Sequence, residues 1–513
     1  MIRPGTIGWF ALHEARLAWR DWLSLVTAGH RRRTRTVALA CIAFVLLAHG
    51  LAWLILASSA NVSGMAGKHA LVVITGMLLA AWSMMLSQAM EAVTRAFYTR
   101  GDLDLILTSP ATASRLFAAR IVAMVVTIMF MTLVLGAPFI NVLVWRGGVH
   151  WLGTYVVIAG LAMDAVAVAA ALAVALFRGI GPRRTRAIAQ IVAAVIGAAF
   201  AIAVQFAAIS SFGTMSRMAV LQSPMLMKLA PDVGSAFWWP ARAALGEPAA
   251  MAAFLGVSVV VLVSAIHVCA PRFGTFALAV ASVSHGTNQR GRRQASFHSV
   301  SPTRALRRKE WTLLLRDPWL MSQTLMQLLY LLPAAFLLWR GFYARGGASS
   351  LLVPVLIVAA GQLSGALAWL AVSGEDAPEL VASAPVSAAS VLRAKTEAVL
   401  GGIAVVFAPF VVVLAATVPF AALVAFFGIA IAAGSATAIQ FWFRAQARRS
   451  LFRRRQTSSR VATYAEALSS IGWAGTGALA ATGTWLAVFP GLIVFAIVGG
   501  TWMISPNRKA SGR

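Results

Sequence analysis

The 513-residue sequence predicts an all-α polytopic membrane protein of about twelve transmembrane helices, laid out as a 6+6 tandem repeat. Three observations carry this. The chain is 60% hydrophobic and only 11% charged, with a mean hydropathy of +0.81, against roughly 45–50% apolar and 25% charged in soluble domains. Its apolar residues gather into runs near the length of roughly 20 residues that a helix needs to cross hydrocarbon. Two polar stretches recur, in the same order, in each half of the chain.

The apolar runs lie near 37–58, 70–93, 121–145, 151–177, 187–211 and 248–270, then near 320–340, 350–373, 397–417, 419–442, 463–482 and 485–504. Gly483 and Pro490 interrupt the last pair within one long apolar stretch, and the division at Pro419 is nearly as tight. With the N-terminus on the cytoplasmic side, the outer loops hold Lys68, Arg146, Arg217, Lys228, Arg242, Arg340 and Arg345, seven of the 43 Lys and Arg, leaving 36 inside. The inner clusters include Arg31-Arg32-Arg33, Arg183-Arg184, Arg307-Arg308-Lys309 and Arg453-Arg454-Arg455. Positive loops retained on one side fix the topology, and this asymmetry puts both termini in the cytoplasm. It also accounts for the net charge of +28 without a nucleic-acid partner.

Taken in order, Trp9 to Leu25 is a tryptophan-rich amphipathic segment that suits the headgroup region, or serves simply as a topology anchor. Charges at Arg3, Glu14, Arg16, Arg20 and Asp21 break any cleavable signal peptide there. Between the fifth and sixth runs, Ser211 to Pro248 is an apolar, aromatic, proline-rich outer segment that predicts short broken helices dipping into the outer leaflet. From Phe273 to Pro302 the chain turns polar and reads as a flexible cytoplasmic linker, dividing the molecule into halves at 1–285 and 286–513.

The recurring stretches mark the duplication. GDLDLILTSPATASRLFAAR (101–120) aligns without a gap on DAPELVASAPVSAASVLRAK (376–395), pairing Asp104 with Glu379, Pro110 with Pro385, Leu116 with Val391 and Arg120 with Lys395. Proline disfavours helix in the residue before it, so each copy predicts a cytoplasmic elbow in which one short helix ends and another begins. Upstream of each elbow, a glutamate precedes an Arg-Asp pair and a nearby tryptophan: Glu14, Arg20, Asp21 and Trp22, then Glu310, Arg316, Asp317 and Trp319.

Resident chemistry is not legible. Gly67-Lys68 is followed by His69 and has no glycine five positions before it, so there is no phosphate-binding loop. The eight histidines show no paired ligand spacing, His267 and Cys269 point to different helix faces, and no nucleophile elbow is present. Among ionisable groups inside the membrane, Asp164 is either a pathway or proton-binding group or a structural hydrogen-bonding partner to a neighbouring helix. His49 reads as a satisfied packing residue, and Glu91 and Glu466 as groups that reach the cytoplasmic interface.

The order of an amphipathic segment bearing Glu-x5-Arg-Asp, two helices and an acid-Leu-x3-[Ser/Ala]-Pro-x-[Ser/Thr] elbow resembles the permease subunits of type-2 ATP-binding-cassette (ABC) exporters. Pro231, Trp239 and Ala241-Arg242-Ala243 likewise resemble that family's short re-entrant helices. The resemblance implies interfacial connecting helices at Glu14, Arg20 and Asp21 and at Glu310, Arg316 and Asp317. It implies coupling helices that dock on a separate ATPase through Asp104, Leu107, Ser109, Pro110 and Arg115, and through Glu379, Ala382, Pro385, Ser387 and Leu392. It further implies a non-enzymatic transport subunit of the bacterial inner membrane, with ATP and Mg bound by two copies of a partner and none by this chain. Family members commonly have six helices and dimerise, so twelve would supply both halves of the pathway as a single-chain pseudo-dimer. The residues alone leave open a secondary transporter driven by an ion gradient and a membrane-embedded assembly factor or enzyme.

Overall fold

The computed structural model describes residues 34–58, 67–98, 113–212, 223–285, 301–316, 349–373, 378–443 and 460–505, with Arg16, Leu325, Leu329, 331–333, Phe336 and Glu375. The chain divides into two compact units, Met1–Gly291 and Arg292–Arg513. No strand occurs among the described residues, and nine of their helices are long and apolar enough to cross a membrane. The protein is therefore an all-α polytopic membrane protein. The run expected near 320–340 lies almost wholly outside the described residues, as do the N-terminal amphipathic segment apart from Arg16 and the linker after His285 up to Ser301.

In the first unit, α1 (Thr34–Ser58), α2 (Lys68–Tyr98), α3 (Ala113–Gly147) and α4 (Gly153–Phe212) follow one another. Helix α4 holds two of the expected spans, joined through a kink at Gly181, whose φ of 72° and ψ of 167° lie outside helical geometry. Glycine adopts positive φ without a Cβ penalty, and Pro182 then disfavours helix at the residue before it, so the break is written locally. The first arm of α4 forms the core of this unit through Ala162, Ala165, Val166, Ala169, Ala170 and Ala173, all nearly inaccessible. Without a hydrophobic drive between helices in lipid, such small residues let backbones approach closely. A Cβ at Gly160 would lie 2.6 Å from the Phe254 ring, and one at Gly153 only 2.1 Å from the Ala243 carbonyl oxygen.

The segment before α7 (Pro248–His285) is short broken helices: α5 (Pro224–Leu229), a 3-10 turn at Ala236–Trp238 and α6 (Trp239–Ala244). Ser223 caps α5 by accepting from Leu226 N–H, and Pro224 stands just inside it, where its missing N–H costs nothing. Trp238 is buried against Leu71 and Val72 and donates its indole N–H to the Asp232 carbonyl at 3.0 Å. Met225, Leu229 and Phe237 remain exposed, as suits an apolar medium.

The second unit contains α8 (Pro302–Arg316), α9 (Ser349–Ser373), α10 (Pro378–Ser383), α11 (Ala388–Thr417), α12 (Pro419–Phe443), α13 (Arg460–Ala481) and α14 (Val488–Met503). Helix α9 lies at its centre: Leu352, Val353, Leu356, Ile357, Ala360, Ser364 and Ala368 are all fully buried. Ile357 fills two glycine hollows, with a Cβ at Gly428 or Gly477 falling 2.3 or 2.2 Å from its Cδ1. Only a turn and a 3-10 helix, Trp485–Ala487, separate α13 from α14, so nothing like the α5–α6 segment stands there.

Candidate functional site

Around Pro385 the backbone does what the proline dictates. Helix α10 ends at Ser383, residues 384–386 form a bend, and Ser387 in extended conformation starts α11 by accepting a hydrogen bond from Ser390 N–H at 3.2 Å. The corner projects: Leu380, Pro385 and Ser387 are exposed, and Leu392 is half-buried. Ala382 and Glu379 belong to α10 by backbone.

Two turns past the corner, α11 begins to pack on α8, and the contact is ionic. Glu310, 1% exposed, receives Lys395 Nζ at 3.1 Å and Lys309 Nζ at 3.4 Å. Lys395 reaches Glu375 at 3.3 Å and also donates to the Ala371 carbonyl near the end of α9, while Lys309 pairs with Glu375 as well. Two carboxylates and two ammonium groups thus neutralise one another at the meeting point of α8, α9 and α11. An isolated buried charge is costly, and removing one member of such a set strands the others. On the water-facing side, Glu397 takes Arg307 in a two-point contact, one arm at 3.0 Å, and Arg393 at 3.0 Å. The hydrogen bond that Arg307 donates to Glu397, and then the carboxylate's charge, push the Arg307 guanidinium above its ordinary range. Trp311 of α8 rests on Gly401, where a Cβ would come within 3.2 Å of the indole.

Of the residues carrying the family resemblance, the structure brings Glu310 to the root of the second elbow and leaves Pro385, Ser387 and Leu392 on the elbow itself. Arg316 is the last residue of α8. Asp104, Leu107, Ser109, Pro110, Glu14, Arg20, Asp21 and Asp317 lie outside the described residues; Arg115 is exposed in the first turn of α3. Lys309, Glu375 and Glu397 were not legible as partners in the sequence. They stand 66 and 90 residues from the groups they meet, so no local pattern pairs them.

Two membrane carboxyls sit differently. Asp164 accepts from Ser258 Oγ at 3.0 Å, joining α4 to α7, and its Oδ1 is buried without a hydrogen-bond partner among the described residues. Glu466 is half-buried and packs closely on α9: a Cβ at Gly365 would lie 1.9 Å from its carboxyl carbon, and Gln440 of α12 donates to it. One turn on, Ser470 fills the hollow at Gly361 in the same way, 2.4 Å from where a Cβ would stand. The G-x-x-x-G of α9 therefore receives the E-x-x-x-S of α13. Among the described residues no group of three His, Cys, Asp or Glu side chains is placed to hold a metal.

No family model matches the chain, and neither a curated protein nor a solved structure matches it significantly.

Proposed function

We propose that the chain is the membrane-spanning permease subunit of an ATP-driven ABC exporter, forming the translocation pathway and receiving force from separate ATPase subunits. The observation that carries this reading is the buried Glu310–Lys395–Glu375–Lys309 cluster, which ties the amphipathic helix α8 to the root of a projecting proline elbow. A push on the elbow reaches α11 directly, and through Lys395 it reaches α8 and α9. The sequence echo assigns the same role to Asp104, Pro110 and Arg120, so the twelve-span chain would act as a duplicated pseudo-dimer carrying one elbow per half. Both elbows face the cytoplasm under the positive-inside count. The partner must bind two states of the permease unequally, because equal binding shifts no equilibrium.

The test is affinity purification of the full chain from native membranes, reading the ATPase that accompanies it. Replacing Pro110 and Pro385, or reversing Asp104 and Glu379 to Lys, is expected to release the ATPase or to separate ATP hydrolysis from transport while the protein stays folded. Unchanged co-purification and coupling would overturn the assignment. A gradient-driven transporter is the second reading, favoured by Asp164 and by the enclosure of Glu466; transport that follows a proton gradient with no ATPase present would establish it.

A further inference from the structure

Four helices of the first unit carry a single charged residue across their apolar lengths. No Lys, Arg, His, Asp or Glu stands between His69 and Glu91 on α2, between Arg120 and Arg146 on α3, or between Pro248 and His267 on α7. Between Gly153 and Arg178, α4 has Asp164 alone. The other titratable side chain of that stretch, Tyr155, lies nine residues toward the outer end, about 14 Å away in helix rise. Arg242 of α6, which also packs on α4, is held by Glu247 at 2.6 Å.

Asp164 faces α7. Gly160, one turn before it, has Phe254 and Ser258 so near that a Cβ there would lie 2.6 Å from the ring and 3.0 Å from the Ser258 hydroxyl oxygen. The missing methyl group lets α7 close on α4, and Ser258, fully buried, donates to Asp164 Oδ2 at 3.0 Å. Oδ1 is buried as well and meets no donor among the described residues. Phe254 and Leu262, one turn to either side of Ser258, belong to the same apolar core.

A carboxylate in this place would hold a full charge in an apolar medium on one neutral hydroxyl donor, with no cation at its level on α2, α3, α4 or α7. Such a group takes up a proton rather than stay bare. The neutral acid fits the contacts: Oδ2 is the carbonyl oxygen that accepts from Ser258, and the proton sits on Oδ1, the oxygen that no donor occupies. We infer that Asp164 is a proton-binding site, which the chain carries as the neutral acid at neutral pH. A purely structural carboxylate would bring a second donor or a cation with it, and Asp164 has neither among the described residues. The site depends on the chain spanning the membrane and not on an ATPase, so loss of either leaves the other standing.

The experiment is infrared spectroscopy of the full chain in lipid vesicles at neutral pH, joined to carbodiimide labelling in native membranes. An ordinary aspartic acid, with a pKa of about 3.9, is ionised there. The wild type is expected to show the carbonyl stretch of a protonated carboxylic acid, and Asp164→Asn to lose it. Dicyclohexylcarbodiimide is expected to label Asp164 and not Glu91, which is half exposed and paired with Arg95. The acid's proton passes to a carbodiimide nitrogen as its oxygen bonds the central carbon, and the O-acylisourea rearranges to a stable N-acylurea with nothing released, so peptide mass spectrometry reads the intact adduct. Should Asp164→Asn fail to fold, Ser258→Ala keeps the acid and removes its hydrogen bond. The acid band is then expected to move to higher frequency, a shift that an ionised Asp164 does not produce. Either signal at Asp164 supports the site. Absence of any acid band that these substitutions alter, together with no adduct at Asp164, would overturn it.

Discussion

Two glutamates of the second unit, Glu310, buried, and Glu466, half-buried, meet their neighbours in opposite ways. Glu310 lies at the junction of α8, α9 and α11 and meets two lysines, themselves shared with Glu375. Glu466 lies within the bundle, set into the hollow at Gly365, where the neutral amide of Gln440 is its hydrogen-bond donor. The first is a set of opposed charges that holds three helices at a neutral sum; the second depends on the absence of a single methyl group. The difference teaches that one junction is held by opposed charge and the other by shape.

The largest expected effect breaks the first arrangement. Lys395→Met leaves Glu310 and Glu375 with Lys309 alone, and a broken buried ion set costs roughly 3–5 kcal/mol, readable as a steep fall in the thermal unfolding midpoint in detergent. Pairing it with Glu310→Gln is expected to recover part of that loss, because the stranded carboxylate is gone; additive losses would mean the two side chains are not coupled.

Next comes the shape-dependent site. Gly365→Ala drives a Cβ into the Glu466 carboxyl and is expected to cost about 1–3 kcal/mol, as overpacking does, with recovery when Glu466→Ala is added. If Gly365→Ala were neutral, the α9–α13 approach described here would be too close. Smaller still, Glu466→Gln keeps the volume and a partner for Gln440, so it is expected to cost less than about 1 kcal/mol, whereas Glu310→Gln costs more. Equal costs would erase the contrast between the two sites and point to a cation near Glu466 outside the described residues.

The smallest effect is expected at the water-facing edge of the charged junction. Arg393→Gln removes one of two partners of Glu397 while the two-point Arg307 contact remains. Exposed pairs contribute little and are screened by salt. No shift in the unfolding midpoint is expected, at low or high ionic strength, and a clear shift would show that Arg393 belongs to the buried set.

Much of the scaffold was legible because it follows from local rules. Apolar run length places α2, α3, α7, α9 and α11; Pro385 ends α10; Gly181 and Pro182 break α4 where two spans were expected. The elbow corner and its serine cap are likewise written in consecutive residues. What sequence reading missed is contact at long range. Nothing local says that Lys395 will find Glu310, 85 residues earlier, or that the glycines at 361 and 365 will accept Ser470 and Glu466. Glu466 likewise stands near the start of α13, and the hollow it packs into belongs to another helix, which no local pattern foretells. Helix α13 also carries more polar residues than a free-standing span, among them Ser469 and Ser470, both fully buried against neighbours.

The most direct test of the coupling account uses a chain with Cys41 and Cys269 replaced by Ser and a single cysteine introduced by Pro385→Cys or, separately, Leu380→Cys. A bifunctional thiol cross-linker applied in native membranes is expected to join either site to an ATPase, with a yield that changes when ATP is added and no labelling by an impermeant thiol reagent from the outer side. Labelling from outside, or cross-linked product lacking any ATP-hydrolysing protein, would contradict the claim that this elbow receives force from a cytoplasmic motor.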